Sequence, residues 1–257
     1  MTRFVDMHMH AGFAPDPAAL AAELASAGIA SFANTVTPQE YAHLSPTLTS
    51  APNLRLGLGL HPWWIGTPEL GSLDDALAAF EREFGTTGFV GEVGLDFWPS
   101  RASTKDEQLE VFTSIAQLCA AKGNVLVSLH SVKAEHELLD ILEASNCLEH
   151  CTCILHSYGG PSDQLARAVE DGCLFSIGRR MLSSKRGREY ARILLDDRLL
   201  IESDLPASQG ASLSAEELAA ELAWVIDELA RIRGVGAESL REAINARSKA
   251  LLGLQTA

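Results

Sequence analysis

The chain contains no run of about 20 apolar residues, the length a membrane-spanning helix needs, so no such helix is expected. Positive charge is scarce: 20 lysines and arginines stand against 34 acidic residues, a net charge of −14. That balance excludes whole-surface binding to nucleic acid or to an anionic membrane, and a polyanion would have to meet a local basic patch. Cysteines are few, and Cys119, Cys147, Cys151, Cys153 and Cys173 form no spaced disulfide framework. A reducing, cytoplasmic setting follows as the expectation. The first residues enter a strand pattern without a charged-then-apolar leader, so no secretory signal is expected. The stretch "CLEHCTC" holds three cysteines and a histidine but lacks a second ligand pair at zinc-site spacing. Its cysteines read as small apolar fillers of a buried strand. No proline-rich or serine-rich linker divides the chain, and no glycine fingerprint for a dinucleotide follows the first strand.

What is present is a repeated alternation. Short apolar runs rich in Val, Ile and Leu occur eight times: "RFVDMH", "IASFANT", "RLGLGLH", "GFVGEVGL", "NVLVSLH", "CTCILHS", "CLFSIG" and "LLIESD". Between them lie amphipathic segments such as "DPAALAAELASAG", "SLDDALAAFEREFG" and "KDEQLEVFTSIAQLCAAKG", each ending at glycine, a common helix stop. Two strong helical patterns, "SAEELAAELAWVIDELARIRG" and "GAESLREAINARSKALLG", close the chain. Alternating strands and helices indicate a parallel sheet. Eight units in 257 residues predict an α/β fold, a single (β/α)8 TIM barrel over 1–257 with an extra C-terminal helix. The alternative is an open doubly wound sheet.

Polar residues fall where such a barrel does its chemistry. In "DMHMH" Asp6, His8 and His10 recur at every second position, which on a regular strand places them on one face. Taken alone, this fits a wet strand face as well as a metal site. But catalytic groups of TIM barrels come from the C-terminal ends of strands, and the pattern recurs there. His8 and His10 are expected to end the first strand, Glu92 the fourth, His130 the fifth, His156 the sixth and Asp204 the eighth. Four imidazoles and two carboxylates on one rim suit two divalent ions such as Zn²⁺, Mn²⁺ or Mg²⁺, with one carboxylate bridging. Asp204 can then act as proton acceptor, and Asp6 and Asp96 are candidates for orienting imidazoles.

With these residues in place the chain resembles the TatD family. The resemblance rests on D-x-H-x-H at Asp6 to His10, G-E-x-G-L-D at Gly91 to Asp96, single histidines after strands five and six, and E-S-D at Glu202 to Asp204. It runs from Asp6 to the helix containing Asn245. It implies an amidohydrolase-like, metal-dependent barrel and phosphoester hydrolysis, with deoxyribonucleases among the family. It also implies that His8, His10 and Asp204 hold one metal, His130 and His156 the other, and that Glu92 bridges them. Many binuclear relatives bridge with a carboxylated lysine, which a glutamate makes unnecessary.

Substrate contacts are sought in the loops. "GRRMLSSKRGRE" clusters Arg179, Arg180, Lys185, Arg186 and Arg188 after strand seven, where TIM barrels often bind phosphate. Lys133 follows His130 and can reach the same phosphate, and His61 at the rim of strand three is a further substrate-binding candidate. Trp63, Trp64, Phe97 and Trp98 offer rings for base stacking or ordinary rim packing. His43, His136 and His150 read as surface residues. The family's arginine after the strand-five histidine is replaced by Val132, and "LPASQGASLS" lacks the usual basic continuation after Asp204. Both departures bear on the substrate and leave the metal centre untouched. The reading is a metal hydrolase cleaving phosphodiesters, with single-stranded DNA or a small phosphoester as substrate and no obligate protein partner expected. The alternatives are a binuclear hydrolase of a small phosphate ester, amide or lactone, and a non-catalytic metal-stabilised binding protein.

Overall fold

The computed structural model describes residues 2–254. The chain runs β1 (Phe4–Met9), α1 (Pro17–Ser26), β2 (Ile29–Asn34), α2 (Pro38–Leu48), β3 (Leu54–Leu60), α3 (Leu73–Phe84), β4 (Phe89–Asp96) and α4 (Lys105–Lys122). It continues through β5 (Leu126–Val132), α5 (Glu135–Ala144), α6 (Cys147–His150), β6 (Thr152–His156), α7 (Ser162–Glu170), β7 (Leu174–Ile177), α8 (Arg179–Leu182), α9 (Lys185–Ile193) and β8 (Leu199–Ile201). Two helices, α10 (Ala215–Arg233) and α11 (Ala237–Leu251), complete it. Local chemistry explains the boundaries. Asp16, Ser72 and Ser214 each accept a backbone N–H of the first helical turn, and Ser214 pairs reciprocally with Glu217 as a capping box. Gly234 ends α10 in the left-handed conformation that glycine adopts without strain.

All eight strands are parallel and hydrogen-bonded in sequence order. The sheet curls until β8 meets β1, where the Asp204 N–H donates to the His8 carbonyl at 2.9 Å and the His10 N–H to the Leu205 carbonyl at 2.8 Å. The result is the expected (β/α)8 barrel. Its lower interior is apolar, built from Val5, Met7, Phe32, Leu126, Ile154, Leu174 and Leu200 and plugged by Leu252 at the end of α11. The extra helix is thus a floor. Its Asn245 side-chain oxygen Oδ1 accepts the Val5 N–H at 3.0 Å, and the Arg241 and Asn245 side chains donate to the Arg3 carbonyl. The larger apolar cluster lies between strands and helices. The four cysteines Cys119, Cys147, Cys153 and Cys173 are buried in it, and Cys151 packs at its edge.

Two expectations are corrected in detail. The register between β1 and β2 shifts between Asp6 and Met9, so Asp6, His8 and His10 do not share one regular strand face. Glu92 sits in the middle of β4 rather than at its end, and Asp204 lies beyond the last residue of β8.

Candidate metal centre

Above the apolar floor the barrel interior turns polar. Asp6, Ser31, Asn34, Ser128, Ser176 and Glu202 are all at most 1% exposed, and over them stand the imidazoles. The two oxygens of Glu92 face two different groups. Its Oε2 lies 3.4 Å from His8 Nε2 and 3.3 Å from His10 Nε2. Its Oε1 lies 2.8 Å from His130 Nδ1, 2.9 Å from His156 Nε2 and 3.1 Å from His61 Nε2. Asp204 Oδ1 completes the first side, 3.3 Å from His10 Nε2 and 3.8 Å from His8 Nε2.

Each imidazole is oriented from behind. His8 Nδ1 is 2.7 Å from Ser128 Oγ, and His10 Nδ1 donates to the Asn34 carbonyl at 3.3 Å. His130 Nε2 is 3.3 Å from Asp96 Oδ2, and His156 Nδ1 is 3.6 Å from Glu202 Oε1. Such outer contacts fix ring orientation and tautomer in metal sites. Asp96 is itself held by the Trp63 indole N–H at 2.5 Å and the Trp98 backbone N–H at 2.8 Å. Asp6 acts differently. It engages no imidazole among the described residues; its carboxylate accepts the backbone N–H groups of His8 and Ser203 and the Ser203 hydroxyl, pinning β1 to the segment that carries Asp204.

The local sequence permits this crowding. A side chain at Gly91 would come within 2.0 Å of Asn34 Oδ1, and one at Gly94 within 2.0 Å of the His130 carbonyl. The two glycines around Glu92 therefore let β4 press against β5 and against the Asn34 side chain from β2. Lys133, Ser157 and Asp204 follow β5, β6 and β8 with φ of 55°, 45° and 60°. Non-glycine residues in that region cost about 1–3 kcal/mol each and gather where a rigid frame imposes them.

Electrostatics follow from one buried carboxylate among many rings. Burial resists ionisation of Glu92, but the charges of His61, His156 and His8 hold its carboxyl well below the usual range. Burial likewise opposes a charge on His10, yet hydrogen bonds to Asp204 and Glu92 raise it to about 10. His156 is pushed up by Glu92 and Glu202 against its burial, and His130 by Asp96 and Glu92. In His61 burial prevails over Glu92, giving about 4. Burial raises Asp96, but the hydrogen bonds of His130 and Trp63 bring it to about 2.

The donor set fits divalent ions. Nitrogen and oxygen ligands about 2.1 Å from one ion stand about 3.0–3.4 Å apart, close to the Glu92, His8, His10 and Asp204 separations of 3.3–3.8 Å. His8 Nε2 is buried without a hydrogen-bond partner among the described residues, a costly state unless something else satisfies it. Three groups have atoms close enough to share an ion: His8, His10 and Glu92; His61, Glu92 and His130; His8, His156 and Glu202. No cysteine joins such a group among the described residues.

All six sequence-derived candidates, His8, His10, Glu92, His130, His156 and Asp204, meet in this cluster. Sequence reasoning placed His61 at the substrate rim, whereas it stands against Glu92 itself. Asn34 and Glu202 were not singled out for roles. The signal for Glu202 was a buried-strand carboxylate two residues before Asp204, and Asn34 carried no comparable signal. Of the basic segment, Arg179 turns to α10, where it forms a bidentate pair with Glu221 and lies 3.8 Å over the Trp224 ring. Arg188 pairs with Glu228. Arg180 lines three adjoining cavities, one of them the centre itself. Lys133 lines one of these, its Nζ 4.2 Å over Trp98. Trp63 and Trp98 are 39% and 52% exposed, and a cation lies over one face of each ring, Arg101 over Trp63 and Lys133 over Trp98. His43, His136 and His150 are exposed.

The family model described as TatD-related DNase matches residues 5–253. Human deoxyribonuclease TATDN3 is 29% identical over 198 residues, covering 72% of this chain and 69% of that protein. The corresponding alignment to the mouse protein covers 64% of its length, so the chain spans about two thirds of these curated relatives. The crystal structure of YjjV, a TatD homologue from Escherichia coli K12, superposes with a TM-score of 0.72 at 25% identity, covering 97% of this chain and 98% of that one. The fold is shared as well with a TatD family hydrolase from Entamoeba histolytica, TM-score 0.75 at 15% identity over 96% and 97% of the two chains.

Proposed function

The chain belongs to the TatD-related DNase family, and on that premise we propose that residues 1–257 form one hydrolase domain that cleaves phosphodiester bonds with two divalent ions. The observation that carries this reading is the placement of Glu92, whose two oxygens face separate sets of imidazoles. In this reading His8, His10 and Asp204 would hold one ion and His130 and His156 the other, with Glu92 shared between the two sets. His61 stands close enough to the second set to join it or to steer the substrate. Divalent ions bound there, Zn²⁺, Mn²⁺ or Mg²⁺, would make a water acidic and polarise a phosphoryl oxygen.

The chain's own groups do the rest. Hydrogen bonding from His10 and the nearby His156 and His8 charges outweigh burial and keep the Asp204 carboxyl well below the usual range. A divalent cation held there in place of those protons would likewise keep Asp204 ionised, so that it takes the proton of the attacking water at a carboxylate oxygen. The water oxygen bonds to phosphorus, the bond to the leaving oxygen breaks, and that proton is returned to the leaving alkoxide. Arg180, at the junction of three cavities, neutralises phosphate charge, and Trp63 and Trp98 offer ring faces to bases. The substrate class is single-stranded DNA or a small phosphodiester, since a net charge of −14 repels long duplex outside a local patch. Five free cysteines support a reducing, cytoplasmic compartment.

The test is a panel of single-stranded oligodeoxynucleotide, nitrophenyl phosphodiester, phosphomonoester, amide and lactone, each with Mg²⁺, Mn²⁺ and Zn²⁺. Turnover of the two diesters supports the reading. Turnover of the amide or lactone alone would assign a different hydrolase, and ion binding without any turnover would assign a metal-stabilised binding protein.

A further inference from the structure

Some cations of this acidic chain are held by carboxylates and others are not. Arg167, Arg179, Arg188 and Arg233 are each held by a carboxylate. Lys133, Arg180 and Arg186 have no ion-pair partner among the described residues, and all three line one cavity of about 460 Å³. Lys133 and Arg186 approach it from different elements, the end of β5 and the first turn of α9. Cations in the first turn of a helix oppose its dipole, so helix stability does not account for Arg186 there. The same cavity is lined by Ser131 and Ser157, whose hydroxyl oxygens are shielded from water yet have no hydrogen-bond partner among the described residues. Buried hydroxyls are normally satisfied. Ser157 and Lys133 also hold left-handed backbone, φ 45° and 55°, a conformation kept where the frame imposes it. One carboxyl, Glu135, faces this cavity as well. Its burial raises its pKa, and backbone N–H groups from Lys133 to Glu135 hold it at the start of α5.

The cavity is continuous with the metal centre, because His130, His156 and Arg180 line both. Its volume lies in the range, about 300–1,000 Å³, of pockets that enclose one small ligand rather than a track for a polymer. We infer that this cavity is a subsite for a terminal phosphate monoester one nucleotide away from the bond that is cut. Three cations without an ion-pair partner among the described residues match a group carrying about two negative charges. Resting on the phosphodiesterase reading, this makes the substrate a short, end-phosphorylated single strand, cut next to its phosphorylated end.

The experiment compares thymidine dinucleotides bearing a 5′-phosphate, a 3′-phosphate or neither, with Mn²⁺ present, on the wild type, Arg186→Gln and Lys133→Gln. One phosphorylated form is expected to exceed the unphosphorylated dinucleotide in kcat/KM on the order of tenfold, as hydrogen bonds to a charged group allow. In both variants that ratio should fall toward one, a change that a general loss of folded enzyme would not produce. Equal kcat/KM for all three dinucleotides on the wild type would overturn the subsite. If no dinucleotide is hydrolysed, the phosphodiesterase reading fails, and calorimetry decides the subsite independently. Thymidine 3′,5′-bisphosphate should then bind about tenfold tighter than either monophosphate, with the gain lost in the variants. Binding of the bisphosphate no tighter than the monophosphates would overturn it.

Discussion

The backbone N–H of Asp204 donates to the carbonyl of His8 at 2.9 Å. With the bond from the His10 N–H to the Leu205 carbonyl, it joins the segment after the last strand to the first and sets the carboxylate of Asp204 beside His8 and His10, 3.8 and 3.3 Å from their Nε2 atoms. The barrel's closure and its chemistry share a seam. A loosening there should be felt as lost stability and lost activity together, whereas changes confined to the side chain of Asp204 should separate the two.

Asp204→Asn is the separating change. The seam bond is made by the backbone, and asparagine tolerates the φ of 60° that Asp204 adopts. The fold should therefore persist, with thermal midpoint close to wild type. Loss of the proton acceptor should lower kcat on the order of 10²–10⁴-fold. Steady-state kinetics on a nitrophenyl phosphodiester checks it, and near-normal turnover would remove Asp204 from the role.

Asp6→Ala attacks the seam itself. The Asp6 carboxylate accepts from the His8 N–H at 3.1 Å, the Ser203 N–H at 3.0 Å and the Ser203 hydroxyl at 2.6 Å. Leaving these buried donors without an acceptor should cost on the order of 3 kcal/mol, read by urea denaturation of metal-free protein. Divalent-ion affinity should fall too, because Ser203 precedes Asp204. A variant as stable as the wild type would show that the seam does not depend on Asp6.

Trp63→Phe probes the outer contacts. The Trp63 indole holds Asp96, which lies 3.3 Å from His130 Nε2. Removing such an outer-shell partner typically costs about 10–100-fold in metal affinity, so one of two binding steps should weaken in a titration while the other stays. Unchanged affinities at both steps would reduce Trp63 to a stacking surface.

Metal binding should release protons. Ligand nitrogens bind metal only when deprotonated, and His10, raised to about 10 by Asp204 and Glu92 against its burial, carries its proton at neutral pH. Affinity should therefore increase with pH between 6 and 8, by about one order of magnitude per pH unit for each proton displaced. Calorimetry in buffers of different ionisation enthalpy counts those protons. Affinity independent of pH and buffer would contradict the protonated state of His10.

Much of this was legible in the sequence. The eight strand runs and the helices α1, α3, α4, α10 and α11 stand where apolar spacing and terminal glycines put them, because both signals act locally. The six ligand candidates were legible because each is a polar residue within or just after an apolar strand run. His61 was read only as a rim residue, since its approach to Glu92 depends on the pairing of β3 with β4. Asn34 was invisible, as its role rests on a backbone carbonyl and on the room that Gly91 leaves. Arg179 looked like Arg180 in the sequence. Only the packing of α10 against α8 shows Glu221 and Trp224 taking the first and leaving the second facing the centre.

The central claim is that Glu92 organises two divalent ions that the chain needs for hydrolysis. It is tested by stripping the protein with chelator, restoring Mn²⁺ stepwise, and following nitrophenyl phosphodiester turnover beside ion content, for the wild type and Glu92→Gln. Stripped wild type should be inactive and regain full rate as ion content reaches two per chain. Glu92→Gln, which keeps the shape but loses the charge between the two imidazole sets, should bind fewer ions and stay on the order of 10²-fold or more below wild type. Activity in the stripped protein, or equal ion content and rate in Glu92→Gln, would contradict the account.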